Sequence, residues 1–211
     1  MLLALGISAL VGYLLGSVNF AVLVAKRHGI DILKEGSGNP GATNVKRVLG
    51  KGPGNLVFAL DALKGAAGTY LPFLLADAVS PGAPRFETLV AGLAGTLLGH
   101  CFSCFLGFKG GKGVASTIGG LLVLLPIPIV IGAALWAIAF YATRYVSVAS
   151  LALGLSLPLS CWLLPKFTSL QFSDAELIFA GAIALFNVWT HRSNIGRLLR
   201  GEENKFTKKT S

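Results

Sequence analysis

The stretch VASTIGGLLVLLPIPIVIGAALWAIAFYAT, residues 114–143, decides how this chain is folded. As one helix its 30 residues would be about 45 Å long, half as long again as the hydrocarbon core of a bilayer. Pro126-Ile127-Pro128 interrupts it, and each proline pushes the residue before it out of helical geometry. Two passes joined by a tight turn are expected. The first, residues 114–125, would be only about 18 Å long as a helix, so a re-entrant or half-buried segment covered by other protein is the alternative.

The rest of the 211 residues has the same character: 54% are hydrophobic, 13% are charged and the mean hydropathy is +0.72. A soluble domain carries charge at about a quarter of its positions, so this chain has too little polar surface to cover a globule. With three cysteines and no Gly-X-Y period, a disulfide scaffold and a collagen are excluded as well. The composition predicts an all-α integral membrane protein, one polytopic domain over 1–211.

Other apolar stretches fall at roughly 3–25, 53–76, 88–106, 146–164 and 175–190, which with two passes in 114–143 makes seven transmembrane helices, some of them short. No base precedes the first run, which is too long for a signal peptide and is read as a retained span. The net charge of +9 fixes the orientation. With the N-terminus outside, the inside holds Lys26, Arg27, Lys34, Lys46, Arg47, Lys51, Lys109, Lys112 and Arg144, then Arg192, Arg197, Arg200, Lys205, Lys208 and Lys209. The outside holds Arg85 and Lys166, and Lys64 stays within a span. That bias follows the positive-inside rule and puts the C-terminus in the cytoplasm. A single pass over 114–143 would send the basic tail outside.

Three cytoplasmic segments, 26–52, 107–116 and 191–204, carry the chemistry. The first contains Gly36, Ser37, Gly38, Asn39, Thr43, Asn44 and Arg47, where glycines allow close backbone approach and short polar side chains adjoin bases. The simpler account is a turn followed by a helix capped by Thr43 or Asn44, but loops of this length are usually functional. The second contains Lys109, Gly110, Gly111, Lys112 and Gly113, whose backbone N–H groups and lysines suit a phosphate, reinforced by the start of a helix at Val114. It departs from a nucleotide P-loop, which needs Ser or Thr after the lysine where Gly113 stands. The third places His191, Asn194 and Arg197 on one helical face; a basic segment resting on anionic headgroups is the simpler account, and it suffices for Arg200, Lys205, Lys208 and Lys209. Asp61 and Lys64, three residues apart near the start of the second span, are either an ion pair propping the site or include a direct anion contact by Lys64.

None of His28, His100 and His191 is followed five residues later by Asp, so the His/Asp motif of acyl-CoA-dependent glycerolipid acyltransferases is absent. His100, Cys101 and Cys104 lie in an apolar run without a fourth ligand, and no metal site is expected.

Together these segments resemble the bacterial acyl-phosphate:glycerol-3-phosphate acyltransferases, the PlsY family. The resemblance runs from Tyr13-Leu14-Leu15-Gly16-Ser17 through Gly36 to Arg47, Asp61 to Gly65, Gly99 to Ser116, and His191 to Glu203. Asn19 and Ser103 stand where the family usually has proline. The resemblance implies a seven-helix enzyme of the bacterial inner membrane with its active site facing the cytoplasm. It would transfer a fatty acyl group from acyl phosphate to the 1-hydroxyl of sn-glycerol 3-phosphate, giving lysophosphatidic acid and inorganic phosphate. It implies activity-linked roles for Ser37, Arg47, Lys112, His191 and Asn194. Gly36, Gly38, Asn39, Thr43, Asn44, Lys64, Lys109, Gly110, Gly111 and Gly113 are expected to bind substrate, and Asp61 and Glu203 to be structural. No cofactor or nucleic acid is expected; the partners are the two substrates, membrane lipid and the enzyme that supplies acyl phosphate. The proton acceptor is His191 or the substrate phosphate. An organic-phosphate transporter is the alternative, and it would predict polar groups at the bilayer midplane.

Overall fold

The computed structural model describes residues 1–206, so Lys208 and Lys209 lie outside the described residues. Among them are ten α-helices, one 3-10 turn at Cys104–Leu106 and a single isolated bridge between Ser103 and Lys109. The chain forms two compact units that meet in sequence between Leu124 and Leu125.

The first unit holds α1 (Leu2–Ser17), α2 (Phe20–Arg27), α3 (Ala42–Leu49), α4 (Lys51–Val79), α5 (Arg85–Cys101) and α6 (Val114–Leu124). α1 packs on α5 and α4, while α4 also supports α3, α5 and α6. Small residues permit this. A Cβ on Gly12 would strike the Gly92 backbone, one on Gly16 the Thr96 backbone, and one on Gly95 the Ala9 carbonyl, so α1 and α5 are in backbone contact along their length. Gly65 and Gly119 do the same between α4 and α6, against Ser116 and Ala62. Such small-residue seams substitute close packing and dispersion for a hydrophobic driving force that lipid does not supply. Ala21, Val22, Ala25, Ile32, Val45 and Val57 form a buried apolar cluster that seats α2, α3 and the intervening loop on α4.

The apolar run 3–25, expected as one span, is broken at Val18 and Asn19, both extended. Here the two departures from proline matter. Asn19 Oδ1 accepts from Val22 N–H at 3.0 Å, capping α2, while its amide donates to Pro40 O at 3.4 Å. Ser103 Oγ donates to Ser17 O at 2.6 Å and accepts from Phe105 N–H at 3.2 Å. Proline could make none of these bonds. The run 88–106 likewise ends early: α5 stops at Cys101, and the chain reverses through the 3-10 turn and the left-handed residues Gly107 and Phe108.

The second unit holds α7 (Pro126–Thr143), α8 (Val146–Phe167), α9 (Asp174–Thr190) and α10 (Arg192–Leu199), with α8 packed on α7 and α9. The interruption in 114–143 falls where the prolines require: Leu125 leaves helical geometry and Pro126 opens α7. A capping box between Ser173 and Glu176 starts α9. Ser150 joins three helices, accepting from Trp136 Nε1 at its hydroxyl (3.3 Å) and from Asn187 at its carbonyl (2.6 Å).

Leu2–Arg27, taken across its break, Pro126–Thr143 and Val146–Phe167 are long and apolar enough to cross a bilayer, and Val114–Leu124 is apolar but only 11 residues long. Outward-facing Leu63, Ile138, Ile178 and Leu185 are exposed, as a lipid-facing surface requires. Gly119→Leu is expected to cost about 1–3 kcal/mol through overpacking against the Ala62 backbone. Gly181→Ala, where nothing lies within 4 Å, is expected to be neutral. Thermal unfolding in detergent measures both.

Candidate active site

The first motif is held by one amide. Asn44 is buried, and its Oδ1 accepts from Ser37 N–H at 2.9 Å while its Nδ2 donates to Glu35 O at 2.9 Å and Ile32 O at 3.3 Å. It thereby clamps the loop to α3. Gly36 and Gly38 both have positive φ, and a Cβ on Gly36 would strike Asn44 Oδ1, so this turn admits only glycine at that position. Ser37 is left exposed, and Asn39 and Thr43 are half-buried beside it. α3 starts at Ala42 after Gly41 with no side-chain cap, so neither Thr43 nor Asn44 is the cap. Lys46 turns to α4, donating to Asn55 Oδ1 at 3.1 Å. Arg47 is half-buried on α3, with no hydrogen bond or ion pair from its guanidinium to the described residues.

The second motif lies against the first. Gly111 N–H donates to His100 O at 3.0 Å, and a Cβ on Gly111 would lie 3.1 Å from Pro40 O. The turn at Gly107 and Phe108 leaves Lys109 exposed, while Lys112 is half-buried. Gly113, with φ of +78°, leads directly into α6, whose first-turn N–H groups have no intrahelical acceptor. Lys109, Lys112, glycine backbone and the positive end of a helix therefore share one short segment, an arrangement suited to an anion.

Beneath it lies a buried polar cluster. Lys64 Nζ is 3.1 Å from Asp61 Oδ1, and these side chains are 4% and 3% exposed. The same ammonium donates to Gly16 O (3.1 Å), Val18 O (2.7 Å) and His100 Nδ1 (3.2 Å). Four protein groups therefore surround the three N–H donors of Lys64, in the manner of a strut. The ion-pair alternative is the one this geometry matches. Ser116 Oγ lies 3.4 Å from His100 Nδ1. Sequence reasoning weighed His100 only as a metal ligand and gave neither it nor Ser116 a role in the site. The available signal was that a histidine in an apolar run must find a partner when buried.

In the second unit, His191 forms the joint between α9 and α10. Its Nδ1 lies 2.9 Å from Asn187 O. A carbonyl can only accept, so Nδ1 carries the proton and Nε2 is the basic nitrogen of the neutral ring. Asn194 Nδ2 donates to Glu203 Oε1, as does Ser147 Oγ at 2.9 Å, and Arg197 Nε donates to Oε2 at 2.8 Å. Glu203 thus ties the C-terminal segment to α8 and α10, and it engages Asn194 directly.

Burial alone would raise the Glu203 carboxyl, but the hydrogen bonds from Asn194, Arg197 and Ser147 and the charge of Arg197 hold it below its ordinary value of 4.5. A carboxyl depressed by folding stabilises the folded state in full above its unfolded value, and that stabilisation is lost as pH falls through the folded value. Glu203→Gln is therefore expected to destabilise the protein at neutral pH, with the difference from wild type shrinking as pH drops below 4.5, followed as thermal midpoint against pH.

The helical membrane architecture and the glycine and lysine cradle define a class of membrane protein that handles anions. The chain matches the glycerol-3-phosphate acyltransferase family over residues 6–201. It is 41% identical over 210 residues to the glycerol-3-phosphate acyltransferase of Shouchella clausii (strain KSM-K16), covering 99% of each chain. It is 41% identical over 202 residues to that of Desulfotalea psychrophila, covering 95% of this chain and 97% of the relative. The crystal structure of PlsY (YgiH), an integral membrane glycerol 3-phosphate acyltransferase, in its glycerol 3-phosphate form superposes with a TM-score of 0.81 at 36% identity over 96% of both chains. The lysophosphatidic acid form of PlsY gives 0.79 at 37% identity, over 97% of this chain and 95% of that one. This chain belongs to the glycerol-3-phosphate acyltransferase family.

Proposed function

We propose that this chain transfers a fatty acyl group from acyl phosphate to the 1-hydroxyl of sn-glycerol 3-phosphate, releasing lysophosphatidic acid and inorganic phosphate. The observation that carries the reading is the abutment of the first two motifs, where Arg47 and the Lys109–Gly113 cradle belong to one compact unit. Both substrates carry phosphate, and one of them, glycerol 3-phosphate, is the acceptor of the family. A transporter would place its polar groups in discontinuous helices at mid-membrane. Here the anion-binding groups cluster in segments outside the apolar runs, and the relatives are acyltransferases.

An acyl phosphate is already activated, so catalysis reduces to positioning and charge stabilisation. The glycerol hydroxyl oxygen bonds to the acyl carbon, the carbonyl oxygen becomes negative, and the bond from acyl carbon to phosphate oxygen then breaks with its electron pair leaving on phosphate. Arg47, Lys112 and loop N–H groups are assigned to the oxyanion and leaving phosphate, with Ser37, Asn39, Thr43, Lys109 and the loop glycines binding substrate. The hydroxyl proton passes to His191 Nε2 or to the phosphate dianion. What supports the first route is the tautomer that Asn187 O imposes. Asn194 belongs to this assignment through the family motif, and its bond to Glu203 fixes its amide. The same reading extends to seven crossings of the bacterial inner membrane, N-terminus outside, motifs in the cytoplasm, and acyl phosphate delivered by a supplying enzyme. The positive-inside bias supports it.

Purified protein in lipid nanodiscs is expected to release phosphate from palmitoyl phosphate only when glycerol 3-phosphate is present; release independent of acceptor would refute transfer. For the proton acceptor, His191→Ala is expected to lower kcat by about 100-fold or more if Nε2 is the base. Retention of most of kcat would assign the proton to phosphate.

A further inference from the structure

Gly110 and Gly111 leave space in the anion loop, and His100 fills it. Its carbonyl accepts Gly111 N–H at 3.0 Å. A Cβ on Gly110 would strike that same carbonyl, and a Cβ on Gly111 would strike the ring at Nε2. The ring is 5% exposed and has nowhere to retreat. Lys64 donates to its Nδ1, and the ammonium is tied in turn to Asp61 and to the carbonyls of Gly16 and Val18 at the break between α1 and α2. The residue before it is pinned too, because a Cβ on Gly99 would strike the backbone of Tyr13 and Ser17. Lysine can only donate, so Nδ1 accepts and the proton of the neutral ring sits on Nε2, the edge facing Gly111.

We propose that His100 is a positioning residue of the reaction: through its carbonyl and its Nε2 edge it sets the course of the Gly110–Lys112 backbone, and with it where the loop meets the phosphate of glycerol 3-phosphate. This rests on the function proposed above. His100 touches the loop, not the substrate. Backbone donors serve an anion only within about 0.5 Å of the productive geometry, and a misplacement of about 1 Å costs on the order of 100-fold in rate. A rigid support for a segment of glycines is therefore a requirement of the chemistry. The support reaches from the α1–α2 break through Lys64 and the imidazole to the loop.

The experiment is a suppression test read as acceptor-dependent phosphate release against glycerol 3-phosphate concentration, on variants that elute as folded protein. Gly111→Ala is expected to raise KM for glycerol 3-phosphate by about tenfold, because its new methyl pushes the loop off the ring. His100→Asn keeps an acceptor for Lys64 but lacks the Nε2 edge, so added to Gly111→Ala it is expected to recover most of that loss. His100→Gln refills the Nε2 position; alone it is expected to keep a KM near wild type, and added to Gly111→Ala to recover nothing. Gly110→Ala, which meets the His100 carbonyl, is expected to be relieved by neither. His100→Ala carries the same expectation as His100→Asn, so whichever folds decides the matter. Losses that simply multiply in the double variant of Gly111→Ala with His100→Asn or His100→Ala, or a His100→Asn or His100→Ala variant that changes folded yield and kcat at unchanged KM, overturn the inference while leaving the wild-type activity standing. A wild type without acceptor-dependent release overturns the functional reading and this inference with it.

Discussion

The first unit depends on one buried ammonium. Lys64 lies between Asp61, His100 and two carbonyls at the end of α1, so a single charge satisfies the orphaned acceptors of a broken helix, neutralises a buried carboxylate and orients an imidazole. An unpaired charge in such a place is costly enough that removing one partner of a buried pair typically destabilises by about 3–5 kcal/mol. At the break Lys64 receives the carbonyls of Gly16 and Val18, and Asn19 caps α2 and reaches Pro40. Helix end, ion pair and motif loop are parts of one construction.

The second unit solves the same problem with the opposite sign. Glu203 gathers Ser147, Asn194 and Arg197, closing the C-terminal segment onto α8 and α10. In both units a charged side chain close to a family motif is occupied by protein groups and acts on the motif by holding it. Arg47 differs: its guanidinium makes no such bond with the described residues, and Ser37 and Lys109 are exposed. The division between supports and candidate ligands follows from which polar groups have already found partners.

Much of this was legible in the residues. The proline pair at 126 and 128 placed the break at Leu125, and hydropathy located α4, α7, α8 and α9 closely, because helix length and proline geometry are local properties. The motifs could be located from glycine and base spacing alone. The break inside 3–25 was not legible, since Val18 and Asn19 are held there by partners 46 and 21 positions away, Lys64 and Pro40. Asn44 read as a ligand because asparagine in a glycine loop suits an anion, and spacing did not show that its amide also holds the backbone at Ile32, Glu35 and Ser37. His100 was weighed only as a metal ligand lacking companions, and its contact with the anion loop emerges only beside Gly111.

The sequence by itself determined that the chain is helical and built for a membrane, which segments stay outside the apolar runs, and which family it resembles. Those follow from composition, period and motif order, which need no knowledge of what lies across the fold. Tertiary structure alone decided which polar groups support and which are offered to a ligand, because a hydrogen bond is exclusive. The ammonium of Lys64 has three protons and four protein neighbours, and sequence spacing does not show where those neighbours stand.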